Sequence, residues 1–203
     1  MDTSLTALAI SCTLKLYPAS SSSDLLARQL LDALAEHGVT GDLVRAVDHD
    51  IRPGVEKDMG DGDQWPALRQ RVLDADILVF VTPTWMGQHS SVAQRVLERL
   101  DAELSETDEQ GRPILFDKVA IAGVLGNEDG AHHISAILFQ ALNDIGYTIP
   151  AQTSVYWNGE AMQTVDYKDL DETPEAVSSA IATATRNAAH LARQLTAQAY
   201  PAE

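Results

Sequence analysis

Residues 11–23 carry an unusual density of hydroxyl side chains together with one cation. The serines, the threonine and the lysine of this segment are Ser11, Thr13, Lys15, Ser20, Ser21, Ser22 and Ser23. The N-terminus of a helix favours an anion, because its first N–H groups lack partners within the helix and the helix dipole adds positive charge. The serines directly precede an amphipathic pattern, and the segment exceeds the about 2–6 residues usual between a strand and a helix. We therefore predict a phosphate-binding loop rather than a plain helix cap.

A second segment, residues 82–91, combines a proline, an aromatic ring, a thioether and a glycine. Its candidate ligand-contacting residues are Pro83, Thr84, Trp85, Met86 and Gly87. Such a loop can offer backbone N–H groups and flat apolar surface to a planar ring. The alternative is that Trp85 and Met86 only cover the edge of a sheet, and the residue types alone do not separate these two interpretations.

A third segment, residues 126–133, has glycines near both ends and two acidic residues between them. Its candidate binding residues are Gly126, Asn127, Glu128, Asp129 and Gly130. Glycine permits close backbone approach to a ligand, and a carboxylate can accept from a ring N–H. The adjacent His132 and His133 would point in different directions at the start of a helix, with no suitably spaced third ligand. Packing or capping is therefore favoured over a metal site for both.

Each of the three segments follows an apolar run that is typical of a buried strand. The predicted strands occupy residues 4–10, 42–47, 76–82, 118–125 and 153–157. The predicted helices lie between Ser21 and Gly38 and at residues 64–75, 91–104, 131–145 and 174–199. This alternation predicts an α/β fold, a flavodoxin-like doubly wound five-stranded parallel sheet with strand order 2-1-3-4-5 and helices on both faces. Ligands of such sheets bind beyond the carboxyl ends of the strands, where the three segments would meet.

The length and composition limit the domain organisation and the classes of partner that this chain can have. The 203 residues fit a single domain, 1–203, with a charged loop at 105–117 and a C-terminal helix at 174–199. A formal charge of −16 disfavours nucleic acid and anionic membrane surfaces as partners. The single cysteine, Cys12, allows no internal disulfide, and together with the lack of any long apolar run it suggests a cytoplasmic setting.

These segments together resemble the NADPH-dependent FMN reductase branch of the flavodoxin-like superfamily. The most specific part is residues 82–91, which is similar to the family's Thr-Pro-x-Tyr/Trp-x-Gly-x-x-Ser loop, and residues 126–131 are similar to its third loop. Residues 11–15 depart from the family's commonest first loop, Gly-Ser-x-Arg-x-x-Ser, since Lys15 stands where arginine is usual. The resemblance runs from the first strand to the final helix.

The resemblance implies one FMN per subunit and an FMN-dependent oxidoreductase in which NAD(P)H, as co-substrate, gives hydride to the flavin. A quinone, a flavin or a similar small molecule would then accept the electrons. The FMN phosphate would lie on Thr13 and Ser21 to Ser23, with Ser11 and Lys15 nearby, and the ring system against residues 83–87 and 126–130. No side chain is singled out as a catalytic acid or base, because the flavin carries the chemistry. A homodimer or homotetramer is also implied.

Three other functions share this strand order or part of the first loop. A flavodoxin-type electron carrier without reductase activity stays open as the alternative. A low-molecular-weight phosphatase needs Cys-x5-Arg, and residue 18 here is proline. A receiver domain needs acidic residues after the first strand and an aspartate after the third, where this chain has Ser11-Cys12 and Thr82-Pro83.

Overall fold

A parallel sheet is the centre of the computed structural model, which describes residues 4–161 and 163–202. The strands are β1 (Leu5–Ser11), β2 (Val39–Arg45), β3 (Ile77–Trp85), β4 (Gln88–His89), β5 (Val119–Gly126) and β6 (Ser154–Asn158). The helices are α1 (Ser22–Ala35), α2 (Trp65–Asp74), α3 (Ser91–Leu100), α4 (Ala131–Asp144) and α5 (Glu175–Ala197). The five longer strands run parallel in the spatial order β2-β1-β3-β5-β6. This is the predicted arrangement of parallel strands, but the sheet has a sixth strand that the five-stranded prediction lacked.

The sixth strand, β4, exists because β3 continues into a tight hairpin. Thr84 and Trp85 pair antiparallel with His89 and Gln88, which leaves only Met86 and Gly87 in the turn. Both turn residues have positive φ, 53° and 72°, as a two-residue hairpin turn compatible with strand twist requires. Residues 83–85 are therefore strand rather than loop.

The edge strand and the last helix also differ from their predicted bounds. β2 begins at Val39, directly after Gly38 at φ 71°, so its first half includes polar residues that the apolar pattern had excluded. α5 spans Glu175–Ala197 rather than 174–199, because the carbonyl of Pro174 accepts the first helical hydrogen bonds. The Thr173 hydroxyl, just before this helix, accepts from Gln29 Nε2.

Two hydrophobic layers cover the sheet, one on each face. Alternate residues of β3 show the division, since Phe80 packs with α2, α3 and α4 whereas Val79 packs with α1 and α5. Both side chains are completely buried, as are their neighbours on β1 and β5. The helices thus lie on both faces, and the carboxyl ends of the strands are left open at one edge of the sheet. In the part of the chain that the structure describes, no helix is long and apolar enough to cross a membrane.

A buried ion pair holds the long connection between β2 and α2 against α3. Arg99 of α3 contacts Asp63 at 2.8 Å, with both side chains fully buried, and donates to the carbonyls of Arg52 and Glu56. Burial raises the pKa of Asp63, but hydrogen bonds from Arg99 and from three backbone N–H groups outweigh it, so the pKa lies well below its usual range. The connection is therefore an ordered part of the fold on the α3 face.

Candidate functional site

A pocket of about 260 Å³ opens at the carboxyl ends of β1, β3, β5 and β6. Its walls come from the three segments singled out in the sequence and from a fourth, residues 157–167. The lining residues are Thr13, Leu14, Lys15, Ser21, Ser22, Ser23, Pro83, Thr84, Trp85, Leu125, Gly126, Asn127, Glu128, Trp157, Asp166 and Tyr167. One end is rich in hydroxyls and the other in aromatic rings, because parallel strands bring successive loops to one edge of the sheet.

The hydroxyl end lies at the N-terminus of α1. Ser21 is the N-cap, and its side chain accepts from the N–H of Asp24 at 3.4 Å. Ser22 and Ser23 occupy the first helical positions, where N–H groups have no intrahelical acceptor. The Thr13 hydroxyl accepts from the Lys15 N–H at 3.2 Å and keeps its own proton available for a ligand. The structure thus brings together all the predicted phosphate donors except Ser11.

Ser11 lies behind the pocket, in a buried network with a carboxylate and a guanidinium. It donates to Asp24 Oδ1 at 2.5 Å, while Nε of Arg45 donates to Asp24 Oδ2 at 3.0 Å. Arg45 also donates to the carbonyls of Lys15 and Ala19, at 2.8 Å and 3.0 Å. Arg45 was not predicted as a site residue. It is the last residue of the edge strand β2, and it meets the loop of residues 11–23 only in the folded chain.

Cys12 follows Ser11 and is completely buried. Burial raises the pKa of its thiol far above the usual range, so the sulfur stays neutral and unreactive. Its carbonyl accepts from the Ser90 hydroxyl at 2.6 Å, which ties the end of β1 to the start of α3. Cys12 therefore has a packing role.

The aromatic end is formed by the last residues of β3 and β6. Trp85 is about half exposed at the pocket mouth, and Trp157 packs against Tyr167 with ring centroids 5.6 Å apart. The Tyr167 hydroxyl donates to Gln29 Oε1 at 2.7 Å, and burial raises the pKa of this phenol. Apolar ring surface at this end suits a planar ligand.

The loop after β5 packs directly on the β3–β4 hairpin. Glu128 accepts from the Met86 N–H at 2.7 Å, and a Cβ at Gly130 would lie 2.9 Å from the Cα of Gly87. Met86, Gly87, Asp129 and Gly130 do not line the pocket, and Met86 is 91% exposed. These four predicted residues shape the two loops rather than the cavity wall.

The fourth segment closes the side of the pocket, and no binding residue was predicted in it. Asn127 Nδ2 donates to Asp166 Oδ1 at 3.1 Å, and the Lys168 N–H donates to Ser22 Oγ at 3.3 Å. These contacts join the aromatic end to the hydroxyl end. Asp166 and Tyr167 gave no local signal in the sequence, since neither follows a predicted strand directly.

Comparison with known proteins assigns this arrangement to a family. The model of the NADPH-dependent FMN reductase family matches residues 5–161, which include three of the four pocket segments and the first part of the fourth. The chain belongs to this family.

Two curated relatives and one solved structure are informative. The chain is 30% identical over 201 residues to 8-demethyl-8-aminoriboflavin-5′-phosphate synthase of Streptomyces davaonensis, covering 94% of this chain and 78% of that protein. A crystal structure of RosB with the bound intermediate 8-demethyl-8-formylriboflavin-5′-phosphate superposes with a TM-score of 0.86 at 30% identity, over 97% of this chain and 82% of that one. The chain is also 44% identical over 169 residues to the divalent metal cation transporter MntH of Mycobacterium bovis. That match covers 81% of this chain and spans only a quarter of the transporter, 25% of its length.

The pocket of this FMN reductase family member fits the cofactor that the family name implies. The free N–H groups of Ser22 and Ser23 and the neighbouring hydroxyls suit a phosphate at a helix N-terminus. In the wall between the two ends, a Cβ on Gly126 would lie 2.6 Å from the Cβ of Thr84, so the pocket wall needs glycine there. The donor set and the close backbone approach both suit a phosphorylated planar molecule.

The two histidines of the third segment lie outside the pocket of this family member. The His132 ring is 3.0 Å from the Tyr156 hydroxyl, and the His133 ring is 3.3 Å from Gln88 Oε1. Within residues 4–161 and 163–202, no group of three or more His, Cys, Asp or Glu side chains is arranged to hold a metal ion.

Proposed function

We propose that the protein is an FMN-dependent oxidoreductase that binds FMN in the pocket at the carboxyl ends of its strands. The observation that carries this proposal is the arrangement of one pocket with a helix N-terminus at one end and aromatic rings at the other. Bound FMN would supply a ring system that accepts hydride from NAD(P)H and passes electrons to a quinone, a flavin or a similar small acceptor.

The residues of the chain divide this work by position. Thr13, Lys15 and the Ser21–Ser23 group would hold the phosphate, by hydrogen bonds and by one positive charge. Pro83, Trp85 and Trp157 would border the ring system and exclude water from part of it. Thr84, Gly126, Asn127 and Glu128 form the wall between these two groups.

Rapid mixing of the FMN-loaded protein with NADH or NADPH under anaerobic conditions tests the oxidoreductase function. Bleaching of the visible flavin absorption reports reduction, and we expect at least one nucleotide to reduce the flavin well within a minute, since enzymes typically turn over at about 1–1000 per second. FMN that stays oxidised with both nucleotides would instead support a flavodoxin-type carrier.

The likeness to the Streptomyces davaonensis enzyme supports a second candidate function. That relative is named for the synthesis of a riboflavin-5′-phosphate derivative altered at position 8, so FMN could be the substrate in the same pocket. Mass spectrometry of flavin recovered after turnover separates the two functions. Unchanged FMN supports the oxidoreductase, and a flavin of altered mass supports flavin modification.

A further inference from the structure

Arg45 lies outside the pocket and contacts the loop and the helix that form its hydroxyl end. Its side chain is 8% exposed, and it does not line the pocket. Its guanidinium binds Asp24 Oδ2 through Nε and one terminal nitrogen, and it also donates to the carbonyls of Lys15 and Ala19. One side chain from β2 therefore connects both halves of the 11–23 loop to α1.

The charge of Asp24 makes this contact important for an anionic ligand. Asp24 lies in the first turn of α1, its side chain is 11% exposed, and it is next to the Ser22 and Ser23 N–H groups. A carboxylate at this place repels a phosphate, and weak solvent screening at a buried position strengthens the repulsion. The positive charge of Arg45, in direct contact with the carboxylate, offsets that repulsion.

The same guanidinium also determines which backbone groups of the loop face the ligand. The carbonyls of Lys15 and Ala19 accept from Arg45, so these two oxygens are held by the guanidinium. The Tyr17 N–H between them donates to Asp48 Oδ1 at 3.0 Å, and the Tyr17 ring lies 6.0 Å from the Arg45 guanidinium carbon. Because the guanidinium binds these two carbonyl oxygens, their partial negative charge is offset and repels a phosphate in the pocket less.

We propose that Arg45 is a positioning residue that sets the affinity of the pocket for the 5′-phosphate of the flavin without contacting it. This inference rests on the proposed function, because it takes FMN as the ligand. Arginine is needed rather than lysine, since the guanidinium spreads its five donors over three nitrogens in a planar fork, whereas the three donors of an ammonium group leave a single nitrogen. The contribution should be specific to the phosphate, because the ring end of the pocket lies on other strands.

Comparison of FMN with riboflavin, which lacks the phosphate, tests this role. Dissociation constants from quenching of flavin fluorescence would be measured for the wild type, Arg45→Lys and Arg45→Gln. We expect both variants to weaken FMN binding by about tenfold, as the loss of a charge-assisted contact would, and to change riboflavin binding by less than about twofold. Arg71→Lys is the matched control, because Arg71 pairs with Asp42, an exposed residue on the strand that carries Arg45. This variant should leave the dissociation constants of FMN and riboflavin unchanged.

Removal of Asp24 separates charge from loop shape. In Arg45→Gln/Asp24→Asn the uncompensated carboxylate is gone, so FMN affinity should recover part of the loss seen in Arg45→Gln. Asp24→Asn alone should raise the ratio of FMN to riboflavin affinity above that of the wild type. This single variant carries the test if circular dichroism shows that the Arg45 variants do not fold.

Equal weakening of FMN and riboflavin in the Arg45 variants, or unchanged FMN affinity in them, would overturn the proposal. A ratio of FMN to riboflavin affinity that does not rise in Asp24→Asn would also count against this role of Arg45. Each of these results leaves the proposed function intact, provided that the wild type binds FMN. A folded wild-type protein that binds neither flavin would reject the proposed function, and this inference with it.

Discussion

At the scale of single residues, Gly126 allows β5 to approach β3 closely at the pocket wall. A Cβ there would lie 2.6 Å from the Cβ and 3.1 Å from the Oγ1 of Thr84. We expect Gly126→Ala to displace Thr84 at a strain of about 1–3 kcal/mol and to weaken FMN binding by about tenfold. Fluorescence titration with FMN measures the loss.

The rescue variant for this prediction is Gly126→Ala/Thr84→Gly. It removes the Cβ that the new methyl group would meet, so part of the affinity should return. Wild-type affinity in Gly126→Ala alone would show that the pocket wall can yield and that glycine is not required there.

The buried pair of Asp63 and Arg99 predicts an acid-dependent loss of stability. Because the pKa of folded Asp63 is depressed below the unfolded value of about 3.9, its contribution is present above that pH and is lost as the pH falls below it. Asp63→Asn should lower the free energy of unfolding by about 3 kcal/mol at pH 7 by leaving Arg99 unpaired. Urea unfolding at pH 7 and at points between pH 5 and pH 2 measures both effects.

Below pH 4 the stability of Asp63→Asn should fall less steeply than that of the wild type. The exposed Asp171→Asn serves as the control and should follow the wild type. Parallel curves for wild type and Asp63→Asn would contradict this account of Asp63.

The sequence predicts functional residues where residue type and local position agree. Ser21 to Ser23 are hydroxyls at a helix start, and both features can be seen within a few neighbours. Arg45 and Asp166 contact the site residues Lys15 and Asn127, which are 30 and 39 positions away. Such contacts depend on strand order and loop path, so no short window of sequence contains them.

At the scale of elements, the β3–β4 hairpin depends on the conformation of its two turn residues. Gly87 has φ 72°, and a Cβ added there would meet nothing within 4 Å, so substitution tests the backbone preference alone. We expect Gly87→Ala to lower the free energy of unfolding by about 1 kcal/mol, and Gly87→Asn to lower it less, because asparagine tolerates the left-handed region. Urea unfolding of both variants measures the difference.

An equal effect of alanine and asparagine at residue 87 would show that the left-handed φ of this residue does not set the cost. Gly111→Ala, also at positive φ with open space around it, gives a reference in a turn far from the hairpin in sequence.

Most strands and helices begin within one residue of their predicted positions, including β6, α3 and α4. β1, β3 and β5 start within one residue of their predicted positions, because both of their faces are buried. β2 was displaced by three residues at its start, since an edge strand can carry Thr40, Gly41 and Asp42. β4 has two residues and owes its existence to the Met86-Gly87 turn, so no periodic pattern could reveal it.

At the scale of the whole molecule, large apolar side chains are exposed on two of the segments that line the pocket. They are Leu14, Leu16, Tyr17, Trp85 and Met86. Exposed apolar surface of this kind often marks a contact surface, and we propose a homodimer or homotetramer. We expect multi-angle light scattering at micromolar concentration to give a mass of two or four chains of 22.0 kDa.

Tyr17→Ser/Met86→Ser should shift that mass towards one chain, whereas Val55→Ser/Leu104→Ser, an exposed pair outside the pocket segments, should not. A wild-type mass of 22.0 kDa at every concentration tested would contradict the expected assembly.

The proposed function requires that the pocket between the hydroxyl end and the aromatic end binds FMN. Addition of excess FMN to the purified protein, followed by gel filtration and an absorption spectrum, tests it most directly. We predict that one FMN per chain elutes with the protein, and that its flavin absorption bands are shifted from those of free FMN. Protein that is folded by circular dichroism and yet elutes without flavin would contradict the account.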